Sequence, residues 1–338
     1  MKRILIVLLL LGLCACQKET LEDRLRILGY TEEAIQVISS LPEADQERFT
    51  ETYDEHYSEL LTSPEFDKDH LEDYLRYYGM LPNDKMIEMV NQGVLNENTL
   101  SRMKEVYESD YYIPAYEELY LEYLDRYPSV RQMMEAVNTG TYRPFFTDIK
   151  ETDMSKGYLI LVNKYYTLSA DYEPDDLVQV ESAYGKGQLR EAAYEAFKQL
   201  HDDAYELGYN IRVVSPYRSY SYQVAVYDKY LQKDPVEVVD SYSARPGLSE
   251  HQTGLCADVS IPGIYIDDFG EYEASDWLSE NAHRYGFIIR FPKNKEDVTG
   301  YIWEAWHIRY VGEEVATDIY ERGITFDEYY ACFIEDHE

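Results

Sequence analysis

The stretch Ser249-Glu250-His251-Gln252-Thr253-Gly254-Leu255-Cys256-Ala257-Asp258-Val259-Ser260 decides the fold of the C-terminal half. From Leu255 the residues alternate, with Leu255, Ala257, Val259 and Ile261 set against Cys256, Asp258 and Ser260. Period-two spacing of this kind predicts a strand with its apolar set on a core and Asp258 aimed at the opposite face. Gly254 offers a tight bend that brings His251 back to the side of Asp258.

Further along the chain stands Tyr301-Ile302-Trp303-Glu304-Ala305-Trp306-His307. A hydrolytic zinc centre needs three nitrogen or oxygen ligands, a fourth position left open, and a carboxylate nearby to take a proton from water. His251, Asp258 and His307 fill the ligand roles for one Zn2+, and Glu304 fills the role of base. Trp303 and Trp306 supply aromatic walls that keep such a site dry. Taken alone, these histidines also suit satisfied structural positions, and the tryptophans suit plain core.

Upstream, the texture is α+β. Tyr158 to Val162 is an apolar run read as extended, Leu189 to Leu207 has helical spacing stopped by Gly208, and Ile211-Arg212-Val213-Val214 reads as a strand. The stretch from Tyr142 to Lys156 is the expected junction. Before it, residues 16–145 read as an all-α region. Leu21-Glu22-Asp23-Arg24-Leu25-Arg26 recurs as Leu71-Glu72-Asp73-Tyr74-Leu75-Arg76, followed by Gly29 and Gly79, with a looser echo at Leu121-Glu122-Tyr123-Leu124. Repeats of this length suggest stacked helical units, although an ordinary helical bundle fits as well. His56 and His70 lie among acids with no ligand pattern and are read as surface residues.

The 338 residues carry a formal charge of -34, with 45% hydrophobic and 14% aromatic residues. That apolar content places the chain among globular proteins, and its acidity excludes a nucleic-acid partner through repulsion from phosphate. At the start, Lys2 and Arg3 precede an apolar Ile4 to Leu13, and Leu13-Cys14-Ala15-Cys16 follows. The apolar run is shorter than the ~20 residues of a membrane-spanning helix. It resembles a bacterial lipoprotein signal over residues 1–15, which implies diacylglyceryl attachment at Cys16 and an extracytoplasmic, lipid-anchored location on the outer face of the membrane. Cys256 and Cys332 remain in the mature chain, and partly buried thiols are the preferred reading over a disulfide. His283, in Asn281-Ala282-His283-Arg284-Tyr285-Gly286, is read as belonging to a helix end.

Three stretches carry a more specific signal: Ser215-Pro216-Tyr217-Arg218 through Gln223, Ser249 through Asp258, and Glu304-Ala305-Trp306-His307. Together with Gly286 to Pro292 and Thr299-Gly300-Tyr301, they resemble VanY-type D-alanyl-D-alanine carboxypeptidases over roughly residues 157–315. The resemblance implies an α+β zinc peptidase domain, assigned to residues 146–338, with a mixed or antiparallel sheet. It implies His251, Asp258 and His307 as ligands, Glu304 as general base, and Arg218 as a substrate and oxyanion contact. Gln223, Ser249 and Trp306 fall at positions near the bound peptide. Ala305 stands where relatives often have proline and Trp303 where tyrosine is frequent, which puts shape and specificity in question before activity. The implied reaction is hydrolysis of the C-terminal D-Ala bond of a peptidoglycan stem peptide. L,D-carboxypeptidase or endopeptidase cleavage at the same site, or a non-catalytic wall-binding lipoprotein, are the alternatives.

Overall fold

The alternation around Asp258 forms the second strand of a four-stranded sheet in the computed structural model, which describes residues 19–51 and 56–337. The expected leader, Cys16 with the lipidation expected there, and the His56 side chain lie outside the described residues. Strands β1 (Arg212–Ser215), β2 (Cys256–Ser260), β3 (Phe287–Phe291) and β4 (Glu304–Tyr310) are arranged β1-β2-β4-β3, and every pairing is antiparallel. Ala257 lies opposite Ile308, which in turn lies opposite Ile289, and Val213 lies opposite Val259. Residues directly opposite point to the same face, so these side chains make one continuous apolar surface. Helix α5 (Glu191–Glu206) covers that surface with Phe197, Leu200 and Ala204, all fully buried and spaced along one helical stripe. The opposite face carries Cys256, Asp258, His307 and Arg309.

The run Tyr158–Val162 is not a strand. It leaves a 3-10 turn at Leu159, and its buried carbonyls are met by side chains: Arg309 donates to Tyr158 O and Ile160 O, and Thr152 Oγ1 to Leu161 O. A guanidinium and a hydroxyl therefore do what a neighbouring strand would otherwise do. The helical spacing of 189–207 resolves into a short strand, Gln188–Arg190, followed by α5.

Contacts divide the chain into two compact units at Glu105/Val106. Each unit contains a copy of one packing device. In the first, helices α1 (Leu71–Tyr77) and α2 (Asn83–Asn91) are tied by Tyr74, whose hydroxyl accepts from Asp67 N and donates to Asn91 Oδ1, while Asn91 Nδ2 donates to Glu65 O. In the second, helices α3 (Glu117–Tyr123) and α4 (Val130–Thr139) repeat the arrangement. Tyr120 accepts from Ile113 N at 3.1 Å and donates to Asn138 Oδ1 at 2.5 Å, and Asn138 Nδ2 donates to Tyr111 O at 2.8 Å. The structural copy thus begins at Glu117 and not at Leu121. The six-residue echo is also not the packing repeat, because Arg24 is exposed where its counterpart Tyr74 is buried.

Removing Asn138 leaves the Tyr120 O–H without an acceptor and the Tyr111 carbonyl without its amide donor, while Ile113 N still donates to the Tyr120 oxygen. Asn138→Ala is expected to lower the unfolding free energy by about 2–3 kcal/mol in urea titration. A loss below about 0.5 kcal/mol would show that water replaces the amide without cost.

Candidate active site

His251 sits in the 3-10 turn Glu250–Thr253, which Gly254 ends at φ 66°, with its N–H bonded to His251 O. A Cβ on Gly254 would also press to 2.9 Å from Leu177 Cδ2, so both backbone conformation and space favour glycine there. The turn directs the His251 ring toward β2, as the bend in the sequence suggested. Its Nδ1 lies 2.7 Å from Pro216 O, which assigns the proton to Nδ1 and leaves the Nε2 lone pair free. Nε2 faces Asp258 Oδ1 at 3.4 Å.

Asp258 and His307 are directly opposite in the β2/β4 pair, and His307 Nδ1 lies 3.2 Å from the same Asp258 Oδ1. Tetrahedral bonds of ~2.0–2.1 Å place neighbouring donor atoms ~3.3–3.4 Å apart. The two measured edges, 3.4 and 3.2 Å, match that spacing. The other carboxylate oxygen, Asp258 Oδ2, is held by Arg218 Nη2 at 2.6 Å. His251 and Asp258 therefore each have one atom fixed by the protein, while Asp258 Oδ1 lies close to both His251 Nε2 and His307 Nδ1. The residues fit a divalent cation, with His251 Nε2, Asp258 Oδ1 and His307 Nδ1 as its ligands.

Glu304 stands beside this set, with Oε2 3.5 Å from His307 Nδ1. In a regular strand, residues three apart face opposite sides. Here β4 is irregular: Ile308 pairs with Ile289, but Glu304 pairs with Phe291, so β4 spends more residues than β3 over the same span. This bulge turns Glu304 to the same side as His307.

Electrostatics separate the two acids. Burial disfavours the charge on Asp258, but His251, His307 and Arg218 outweigh it and hold the group well below the usual carboxylate range. Burial pushes Glu304 up to about 8, the Asp258 charge adds to the rise, and the two histidines and Arg218 oppose it. One carboxyl is thus a permanent anion and the other an exchangeable proton carrier.

The site opens into a cleft of about 600 Å3 whose wall includes Ser249, Tyr301, Trp303 and Trp306. Arg218 also reaches the cleft, while Gln223 stands behind it, accepting from Arg218 Nη1 at 3.3 Å and donating to Ala244 O at 2.8 Å. Two residues of the site were not singled out from sequence. Tyr301 buries a hydroxyl with no hydrogen-bond partner at the cleft, and the Cys256 thiol is close enough to His251 and His307 to form a donor group with them. The alternation that placed Asp258 also places Cys256 on its face, so that signal was present. Cys256 and Cys332 are free thiols. His283 stacks on Tyr320 with ring centroids 4.1 Å apart, in the 3-10 turn after helix α6 (Glu273–Asn281), and His70 packs against Tyr74.

An antiparallel sheet that gathers two histidines around an aspartate, with a protonatable glutamate beside them in an open cleft, defines a hydrolytic metallopeptidase. Residues 186–313 match the family model described as VanY: D-alanyl-D-alanine carboxypeptidase. The chain is 40% identical to the putative carboxypeptidase YodJ of Bacillus subtilis over 201 residues, covering 55% of this chain and 74% of that protein. It is 33% identical to a D-alanyl-D-alanine carboxypeptidase of Enterococcus faecalis over 189 residues, covering 53% and 68%. Among solved structures it resembles the LdcB LD-carboxypeptidase, with a TM-score of 0.51 and 37% identity over 55% of this chain and 91% of that one. The chain belongs to the VanY family of zinc-dependent carboxypeptidases.

Glu304 gives the metal-free protein a defined pH signature. Its folded pKa of about 8 lies above its ordinary value of 4.5, so its neutral form favours folding. Stability from this group is full below the lower value and is lost as pH rises through the upper one. Metal-free Glu304→Gln is expected to match the wild-type melting temperature near pH 5 and to exceed it progressively toward pH 9. A difference that does not change with pH would show that Glu304 ionises normally.

Proposed function

We propose that this protein removes the terminal D-alanine of peptidoglycan stem peptides by cutting a D-alanyl-D-alanine bond. The observation that carries the reading is the pairing of the three-donor set with Glu304, an acid whose burial keeps its proton exchangeable, at the floor of an open cleft. A structural ion needs no such acid and has its coordination closed by protein. The family membership and the Enterococcus faecalis relative support the D,D bond.

Zinc held by His251, Asp258 and His307 supplies Lewis acidity, which makes water acidic and polarises the scissile carbonyl. Glu304 takes the proton released as water adds to that carbonyl, then gives it to the leaving nitrogen as the C–N bond breaks and D-alanine departs. Glu304 lies beside His307 Nδ1 and lines the cleft, a position that suits both transfers. Arg218 keeps the Asp258 carboxylate oriented and presents its planar cation to the cleft, where it suits the terminal carboxylate or the developing oxyanion. Gln223 fixes Arg218 from behind, while Ser249 and Trp306 shape the wall along which the peptide lies.

We also propose that the enzyme works outside the cytoplasm, anchored through a lipid on Cys16. The order Lys2-Arg3, Ile4 to Leu13, Cys16 supports this reading. Among the described residues, no helix is long and apolar enough to cross a membrane. Metabolic labelling with a fatty-acid analogue should mark the wild-type protein and not Cys16→Ala, and equal labelling would remove Cys16 as the anchor.

Purified protein lacking the leader, incubated with defined pentapeptide and tetrapeptide muropeptides, is expected to release D-alanine from the pentapeptide and to stop when a chelator is added. Release from the tetrapeptide with the pentapeptide uncut would replace the D,D assignment by an L,D one. Glu304→Ala is expected to lower kcat by about 10³ while keeping one zinc per chain by metal analysis, whereas His307→Ala is expected to lose the metal. Substantial turnover by Glu304→Ala would remove it as the base.

A further inference from the structure

His307 is flanked by carboxylates on both ring nitrogens. Nδ1 faces Asp258 and Glu304, while Nε2 is buried, has no hydrogen-bond partner, and lies 3.4 Å from Glu250 Oε2. Glu250 Oε2 is itself buried and without a partner. These two unmatched atoms are neighbours, 3.4 Å apart.

The rest of Glu250 is tied down. Its Oε1 accepts from Arg290 Nε and from Arg309 Nη1, each at 2.8 Å. Both arginines are almost fully buried, at 1% and 0% exposure, and each is fixed in turn. Arg290 grips Asp327 on helix α7 (Phe326–Phe333) with both terminal nitrogens, and Arg309 donates to Tyr158 O and Ile160 O. Asn163 Nδ2 donates to Asp327 Oδ1 at 2.8 Å and closes the chain of contacts.

A carboxylate serving only as counter-ion to two guanidiniums would gain most by offering an oxygen to each. Glu250 instead gives one oxygen to both arginines and leaves the other aimed at a histidine nitrogen. The two histidines also differ in support: His251 Nδ1 has a neutral carbonyl, Pro216 O, and His307 Nε2 has an anion. An anionic acceptor makes an imidazole more basic and fixes which nitrogen carries the proton.

We propose that Glu250 is a positioning residue that accepts the Nε2–H of His307, fixing the tautomer and ring plane that present Nδ1 to the metal. The proposal rests on the reading of His251, Asp258 and His307 as metal ligands. It makes the two histidines opposite tautomers, with the proton on Nδ1 in His251 and on Nε2 in His307.

The first test uses unmodified protein. In zinc-loaded wild type, long-range proton–nitrogen correlation spectra should show His251 protonated at Nδ1 and His307 protonated at Nε2, with the His307 proton shifted downfield by its anionic acceptor. His307 protonated at Nδ1 overturns the proposal. The second test compares Glu250→Gln with Asp327→Asn, which removes a charge from the same network without touching His307. Zinc affinity is read by competition with a chromophoric chelator, and ligand geometry by the visible spectrum of the Co2+-substituted protein. Glu250→Gln is expected to raise the zinc Kd about 10- to 100-fold and to shift the Co2+ spectrum. Asp327→Asn should lower the melting temperature while leaving Kd within about twofold and the spectrum in place. Wild-type zinc affinity in Glu250→Gln, or equal weakening in both variants, makes Glu250 a network counter-ion and overturns the proposal. A wild-type chain that binds no zinc would overturn the ligand assignment itself, and this proposal with it.

Discussion

The cross-strand pair of Asp258 and His307 is the contact on which the site depends. An antiparallel pairing brings opposite side chains within bonding reach on the same face, so the β2/β4 register alone fixes an oxygen and a nitrogen 3.2 Å apart. A slip of one residue would send His307 to the face occupied by Ala257 and Ile308 and bring an apolar residue to the centre. The apolar face under α5 resists that slip. Packing on one side of the sheet thereby specifies chemistry on the other.

The chemical face holds buried charge, and its stability comes from mutual neutralisation. Arg290 and Arg309 stand against Glu250 and Asp327, and Arg218 stands against Asp258. Buried ions are tolerated where attraction and hydrogen bonds offset the lost hydration, and each of these groups has a charged partner. Burial disfavours an anion at Glu250, yet the two arginines and His307 hold its pKa below the ordinary range. The arrangement extends to the helical segment before the peptidase core. Arg131 on α4 reaches Glu328 on α7, while Lys295 joins Glu135 and Glu328 at 2.8 and 3.1 Å. Helix α4 is therefore part of the electrostatic framework of the unit that carries the site, whatever its sequence kinship with the helices upstream.

Much of this was legible in sequence because period two and chemical type coincide around Asp258. The strand, its inward and outward sets and the bend at Gly254 follow from spacing, and the motifs singled out His251, Asp258 and His307, which the structure brings together. Other parts were hidden for identifiable reasons. Tyr158–Val162 has strand composition, but its carbonyl partners include Arg309, far along the chain, and a local pattern cannot show them. Glu250 resembles a surface acid in Ser249-Glu250-His251. Its partners did leave a trace, since Arg290 and Arg309 are charges set within the apolar strands Phe287–Phe291 and Glu304–Tyr310, where an arginine requires a buried anion. The helical echo differs from the packing repeat because Arg24 is exposed where Tyr74 is buried, whereas the structural repeat is carried by one buried tyrosine and one asparagine per copy.

One irregularity in β4 brings Glu304 and His307, three residues apart on the same strand, both to the centre. Glu304 and His307 cannot both face the centre from a regular strand, and the sequence spacing alone argues for a helix or against the pairing. The bulge in β4 removes the conflict. It keeps Ile308 and Arg309 in register with β3, so the core and the charge network are undisturbed, and it turns the first residue of the strand back over the site. Ala305, within the bulge, is buried in the core below, and Trp306 stands at the cleft wall. Position 305 falls where the β3/β4 ladder is interrupted, so a small side chain there packs into the core without setting the strand register. The departure noted at Ala305 therefore leaves the acid and the histidine where the chemistry needs them.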